Sequence, residues 1–235
     1  RTVMASYSSI QGLKMHANKR LLTDVLKGTG EGQLGFTGFV ITDYNAVQQI
    51  TKDWDGNAVK KIQNTENYDL QDQIRVAVNA GVDMLMMPAD WKNTITNLKD
   101  LVQHGAIKQS RIDDAVTRIL RVKFESGVFE HPMTDQSLKA TFGSQSHRAL
   151  AQQAVRESVV LLKNDEVNGQ PILSQLKNMN KIFVAGKSAD DIGIQSGGWS
   201  ITWQGQSGKT TEGTTILQGI KNTVGDSKTV TYNKH

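Results

Sequence analysis

The sequence predicts an α/β protein: a partial (β/α)8 TIM barrel followed by a partial α/β sandwich domain. Three observations carry that prediction. Short apolar runs alternate with amphipathic helical patterns from Val3 to Phe124, the pattern weakens from Gly127 to Ser146, and a second alternating segment then begins. Strands that alternate with helices pair in parallel through right-handed crossovers, which is how barrels and doubly wound layers are built.

Val3 to Tyr7 reads as the first strand. Asn18 to Lys27 follows as a helix, with Leu21, Leu22, Val25 and Leu26 on one face. Phe39 to Thr42 is a buried strand, because an apolar run bounded by glycine and by polar residues suits a parallel sheet covered on both sides. Leu70 to Ala80 is a helix that buries Ile74 and Val78, and Asp83 to Met87 is the third strand. Two helices come next, Trp91 to Val102 and Lys108 to Phe124. The second carries Ile112, Val116, Ile119, Leu120 and Val122 as its stripe, with Ser110 and Asp113 as a capping-box variant.

Residues 1–127 are thus expected to be the C-terminal part of a barrel, and 128–146 a linker. Residues 147–235 are expected to begin the second domain, with a helix from Ser146 to Ser158 and strands at Val159–Leu162 and Ile182–Gly186. An irregular loop follows from Gly193 to Gly213, then a helix from Thr214 to Val224 and a strand at Thr229–Asn233. Both ends read as strands already under way, so the chain is expected to be a piece of something longer. On its own it is expected to be poorly folded and inactive, its partner being the remainder of the same polypeptide or a complementary chain.

Composition narrows the function. The 235 residues are 37% apolar and 21% charged, ordinary for a soluble globular protein. A net charge of +4 is spread without a basic block, which argues against nucleic-acid binding. No apolar stretch approaches the ~20 residues that span a bilayer. The chain has no cysteine, which excludes disulfides and thiolate metal sites. A secreted or periplasmic protein can do without them.

The most informative stretch is Gly38-Phe39-Val40-Ile41-Thr42-Asp43-Tyr44, a buried strand that delivers an aspartate at its carboxyl end. In a barrel that is the face where active sites are built. The local pattern alone fits equally an aspartate that caps the next helix.

Together with Met4-Ala5-Ser6-Tyr7-Ser8-Ser9, Lys14-Met15-His16-Ala17-Asn18, Ala80-Gly81-Val82-Asp83-Met84, Arg111-Ile112-Asp113-Asp114-Ala115-Val116, Arg118-Ile119-Leu120, Val160-Leu161-Leu162-Lys163-Asn164 and Gly197-Gly198-Trp199, this stretch resembles glycoside hydrolase family 3 from one end of the chain to the other. The likeness is strongest to the two-domain β-glucosidases and β-glucan exohydrolases. The resemblance implies a retaining, exo-acting glycosidase that needs no metal or organic cofactor, takes a β-glucoside or β-glucan oligosaccharide, and works in the periplasm or outside the cell. Family 3 β-xylosidases, N-acetylglucosaminidases and a non-catalytic glucan-binding fragment are the alternatives.

Residue by residue, the resemblance makes Asp43 the nucleophile, with a second carboxyl about 5 Å away as acid/base. That glutamate is expected outside this chain, since Glu212 lies too early to match. Tyr7 is placed beside the nucleophile, where an ordinary strand-end tyrosine is the alternative. Met4 is placed near the sugar, where a core role competes. Trp199 and Trp203 are expected to help wall the sugar pocket from the second domain, Trp203 ahead of Trp199, with burial in the core as the alternative. Tyr44 departs from the tryptophan common after the nucleophile, so the site for the leaving sugar is expected to be more open or more polar. Trp54, in a loop longer than the plant-like pattern, either adds an aromatic surface or pins the loop. His16, Asp83, Asp113 and Asp114 read as structural.

Overall fold

The computed structural model describes residues 1–175 and 178–235, which form an α/β chain of two compact units, Arg1–Lys139 and Ala140–His235. In the first unit, β1 (Thr2–Ala5) pairs in parallel with β4 (Phe39–Thr42), so that Thr2 faces Phe39 and Ala5 faces Thr42. Alternation along these strands sends Val3, Ala5, Val40 and Thr42 to one face. Val40 and Thr42 are fully buried there.

The connection between the two strands starts with a hairpin of β2 (Ser9–Ile10) and β3 (Leu13–Lys14). Gln11 and Gly12, both at positive φ, make its two-residue turn. A 3-10 turn (Met15–Ala17) follows, and then a π-helical segment, Arg20–Val25, where a helix is predicted over 18–27. The wider winding leaves Leu22 buried and lets the Asn18 carboxamide accept the Leu21 N–H at 3.0 Å.

Helix α1 (Leu70–Ala80) covers the buried face with Ile74, Val76, Ala77 and Val78. Asp69 caps it by accepting the Gln71 N–H, and Gly81 ends it at φ 116°. A side chain at Gly81 would also meet Thr23 Oγ1 at 2.5 Å, so that position needs glycine twice over. Helices α2 (Trp91–Gln103) and α3 (Gln109–Glu125) complete the layer.

Several sequence expectations are corrected. The first strand ends at Ala5, not Tyr7, because the chain turns into the hairpin. The segment Asp83–Met87 makes a single parallel bridge, Ile41 to Met84, in place of a full strand. Asp83 N–H and Met84 N–H both turn to the Val40 carbonyl there, which breaks the regular ladder. Ser110 does not cap α3; the N-cap lies two residues earlier, at Lys108, and has no side-chain cap.

The second unit has α4 (Gln145–Ser158), a hairpin of β5 (Glu166–Val167) and β6 (Gln170–Pro171), and a short α5 (Ile172–Gln175). Then come β7 (Lys181–Ala185), α6 (Ile192–Ser196), α7 (Ile216–Val224) and β8 (Thr229–Asn233). Strands β7 and β8 pair in parallel, and Ile182, Val184, Ala189 and Leu217 form the core beneath them. The predicted strand at Val159–Leu162 is not formed: no strand among the described residues lies beside it, and all four side chains are exposed. The expected irregular loop carries a short helix at its start, because Asp191 caps α6 through the Ile194 N–H.

The strongest tie in the first unit is ionic. The Asp83 carboxylate is fully buried and receives Lys27 Nζ at 2.8 Å, an Arg111 guanidinium N–H and the Val40 N–H at 2.8 Å. Removing one member of a buried ion pair strands the others without solvent. Asp83→Ala in the full-length protein should therefore cost about 3–5 kcal/mol of stability in urea denaturation.

Candidate active site

The site is built at the carboxyl end of β4. Thr42 is buried, and its hydroxyl accepts the Met86 N–H at 2.7 Å, so the segment beyond Asp83 is held against the strand end. The Asp43 N–H, one step past the last paired residue of β4, still donates to the Ala5 carbonyl at 3.1 Å. Alternation puts the Asp43 side chain on the face of Met4 and Ile41, opposite the buried face. The backbone then turns sharply: Asn45 has φ 51°, and its N–H reaches the Met86 carbonyl at 2.9 Å.

The Asp43 carboxylate is half-buried and accepts the Tyr44 N–H at 2.8 Å. It does not cap the 3-10 turn that follows. That turn (Ala46–Gln49) has Asn45 at its N-cap and no side-chain cap.

Tyr7 arrives from the end of β1 and the turn after it. Its hydroxyl donates to the Tyr44 carbonyl at 2.6 Å. Partial desolvation, then the charge and hydrogen bond of the Asp43 carboxylate, push the Tyr7 phenol above its ordinary value, so it stays a neutral donor. Lys14 fixes this corner by donating to the Tyr7 carbonyl at 3.0 Å and to Gln49 at 2.9 Å. Met4, Tyr7 and Tyr44 are each exposed, at 48%, 40% and 50%, and sit around the half-buried carboxylate.

Three side chains matter here that the sequence reading left without a role in the site. His16 is fully buried, with Nε2 at 3.4 Å from the Asp43 N–H. Gln73, on α1, is buried and donates to the Gln48 and Ile50 carbonyls, tying down the turn after Asp43. Asp83 sets the start of β4. A polar residue inside an apolar stripe, as Gln73 is in α1, was the available signal.

Trp54 packs half-buried on the core with Lys19 Nζ 5.4 Å from its ring centroid, so of its two readings it pins its loop. In the second unit, Trp199 and Trp203 are exposed rather than buried, at 85% and 66%, and touch edge to face with centroids 6.4 Å apart. The Trp199 N–H donates to the Trp203 carbonyl at 2.8 Å, closing the loop. Glu212 is exposed beside Lys209. Among the described residues, no group of three or more His, Asp or Glu gathers that could hold a metal ion, and no helix is long and apolar enough to cross a membrane.

Residues 1–122 match the description of the glycosyl hydrolase family 3 N-terminal domain. The chain belongs to that family. Among curated family members, it is 32% identical over 238 residues to a periplasmic β-glucosidase of Salmonella typhimurium, covering 99% of this chain and 28% of the relative. It is 30% identical over 230 residues to a lysosomal β-glucosidase of Dictyostelium discoideum, covering 96% of this chain and 26% of the relative. The solved exo-1,3/1,4-β-glucanase of a Pseudoalteromonas species, a point mutant, superposes with a TM-score of 0.74 at 36% identity, covering 99% of this chain and 35% of the other. The chain thus spans between about a quarter and a third of the length of these family 3 proteins.

Burial lowers the pKa of His16, and this outweighs the opposing pull of the Ala5 carbonyl and the Asp43 charge; Lys14 adds to the lowering. The folded state therefore holds His16 neutral, while the unfolded chain protonates near the ordinary 6.5. Stability from this group is complete above 6.5 and falls as pH drops towards the lower folded value. Thermal midpoints of the full-length protein, scanned from about pH 7.5 to about pH 5, should show that loss, and His16→Gln should flatten it.

Proposed function

We propose that the full-length protein is a retaining, exo-acting glycoside hydrolase that releases terminal β-linked glucose from β-glucosides or β-glucan oligosaccharides. Residues 1–127 are read as the C-terminal part of a (β/α)8 barrel and 147–235 as the start of an α/β sandwich, joined by a linker. The observation that carries this reading is the placement of Asp43: a half-buried carboxylate just past a parallel strand, beside the neutral Tyr7 phenol and the exposed side chains of Met4 and Tyr44, which leave it open to a ligand.

In this reading the Asp43 carboxylate attacks the anomeric carbon while a second carboxyl, from outside these residues, protonates the departing glycosidic oxygen. A covalent glycosyl ester forms at Asp43. Water, deprotonated by the same second carboxyl, then attacks the anomeric carbon and frees Asp43. Two inversions give net retention. Tyr7, held neutral, donates its one proton to the Tyr44 carbonyl, which fixes the ring beside the ester region. Tyr44 and Met4 flank the sugar, and Trp199 and Trp203 offer exposed aromatic faces suited to the apolar side of a pyranose. A periplasmic or extracellular location accords with a glucan substrate and with the periplasmic relative.

Proton NMR of the first sugar released from an aryl β-glucoside should show the β-anomer; an initial α-anomer would reject Asp43 as a nucleophile. Asp43→Ala in the full-length enzyme should lower turnover by several orders of magnitude with the thermal midpoint kept, and azide should partly restore it as the α-glycosyl azide. Near-normal turnover in that folded variant would remove Asp43 from the mechanism.

A further inference from the structure

We propose that His16 is a positioning residue for Asp43: its Nε2 holds the backbone amide from which the carboxylate hangs. The inference rests on the reading of Asp43 as the reacting group.

The Asp43 N–H lies where the parallel ladder runs out. It is shared between the Ala5 carbonyl at 3.1 Å and His16 Nε2 at 3.4 Å, a three-centre arrangement. Beyond it the chain bends through exposed Tyr44 and left-handed Asn45, whose N–H goes to the Met86 carbonyl at 2.9 Å, so the Asp43 amide is the last bond between this segment and β1. A carboxylate that must meet one carbon atom tolerates little play, since about 1 Å of misplacement can cost on the order of a hundredfold in rate.

His16 is costly as a space-filler. The ring is fully buried, and its Nδ1 has no hydrogen-bond partner among the described residues. An apolar side chain of similar volume would avoid that unsatisfied atom. With the ring proton on Nδ1, Nε2 accepts the amide of Asp43, and the Ala5 carbonyl that shares this amide is the group that favours a protonated ring. The charged groups that act on the ring are Asp43 itself and Lys14 on β3. On the other packed elements, Asp72 and Arg75 of α1 pair with one another, and Arg20 and Asp24 lie on the π-helical segment.

The two ring nitrogens can be told apart by substitution. The amide of glutamine reaches the place of Nε2, while that of asparagine reaches only the place of Nδ1. Leucine fills the volume with no polar atom.

The test uses the full-length protein with His16→Gln, His16→Asn and His16→Leu, read by kcat and KM on an aryl β-glucoside. A second readout is amide hydrogen exchange of the peptide that contains Asp43, which needs no turnover. Glutamine should keep kcat within about twofold of the parent, while asparagine and leucine should lose about three- to tenfold in kcat with KM little changed. Exchange at Asp43 should quicken in asparagine and leucine but not in glutamine. Leucine matching glutamine in both readouts would reduce His16 to packing and overturn the proposal, as would rescue by asparagine but not by glutamine. If the parent hydrolyses no glycoside while exchange follows the expected order, the hold on Asp43 stands and the hydrolase reading falls.

Discussion

The buried Asp83 carboxylate is the tie on which the geometry of the first unit depends. It accepts the Val40 N–H at the start of β4 and is neutralised by Lys27, from beyond the π-helical segment, and by Arg111 of α3. Three pieces of chain distant in sequence are thereby fixed to one point. Burial, with the nearby Arg111 and Arg118 charges, draws the Lys27 pKa down even though Asp83 pulls it up. Arg118 and Arg121 extend the same logic by donating to the carbonyls of Phe36, Thr37 and Gly38, the residues that lead into β4. Gly38 itself has no room for a side chain, because a Cβ would fall on the Arg1 carbonyl.

With the start of β4 fixed, its end is held by a different set of contacts. Ala5, Thr42, Met86 and His16 meet there through backbone and side-chain hydrogen bonds. Gln73 secures the turn that follows. The strand works as a short rod clamped at both ends, one end ionic and dry, the other polar and half open. Asp43 stands at the open end, where its carboxylate faces Tyr7 and solvent.

Most of this was legible in the sequence where a period or a cap carries it. Helix α1 runs from Leu70 to Ala80 as its apolar spacing indicates, since Asp69 starts it and Gly81 ends it. The β4 run and the aspartate after it were readable from the order of residues, an apolar run bounded by Gly38 and by polar residues. Val159–Leu162 misled because an apolar run states only that a strand could be buried, and pairing depends on a neighbour that local sequence does not contain. Asp83–Met87 misled for a related reason: Asp83 and Met84 spend both amides on one carbonyl, a detail of register rather than of pattern. In the site, Asp43, Tyr7 and Tyr44 meet at the end of β4 through the Tyr44 backbone. The roles of His16, Gln73 and Asp83 were hidden because each acts through a partner 23 or more residues away.

A retaining mechanism needs a carboxylate oxygen of Asp43 to form the glycosyl ester. The most direct measurement is to treat the full-length protein with an activated 2-deoxy-2-fluoro-β-glucoside, digest it, and locate the added sugar by mass spectrometry. One fluoroglucosyl group is expected, carried on Asp43 in the peptide that spans β4 and the turn after it. A label on another carboxylate, or turnover with no label trapped, would contradict it.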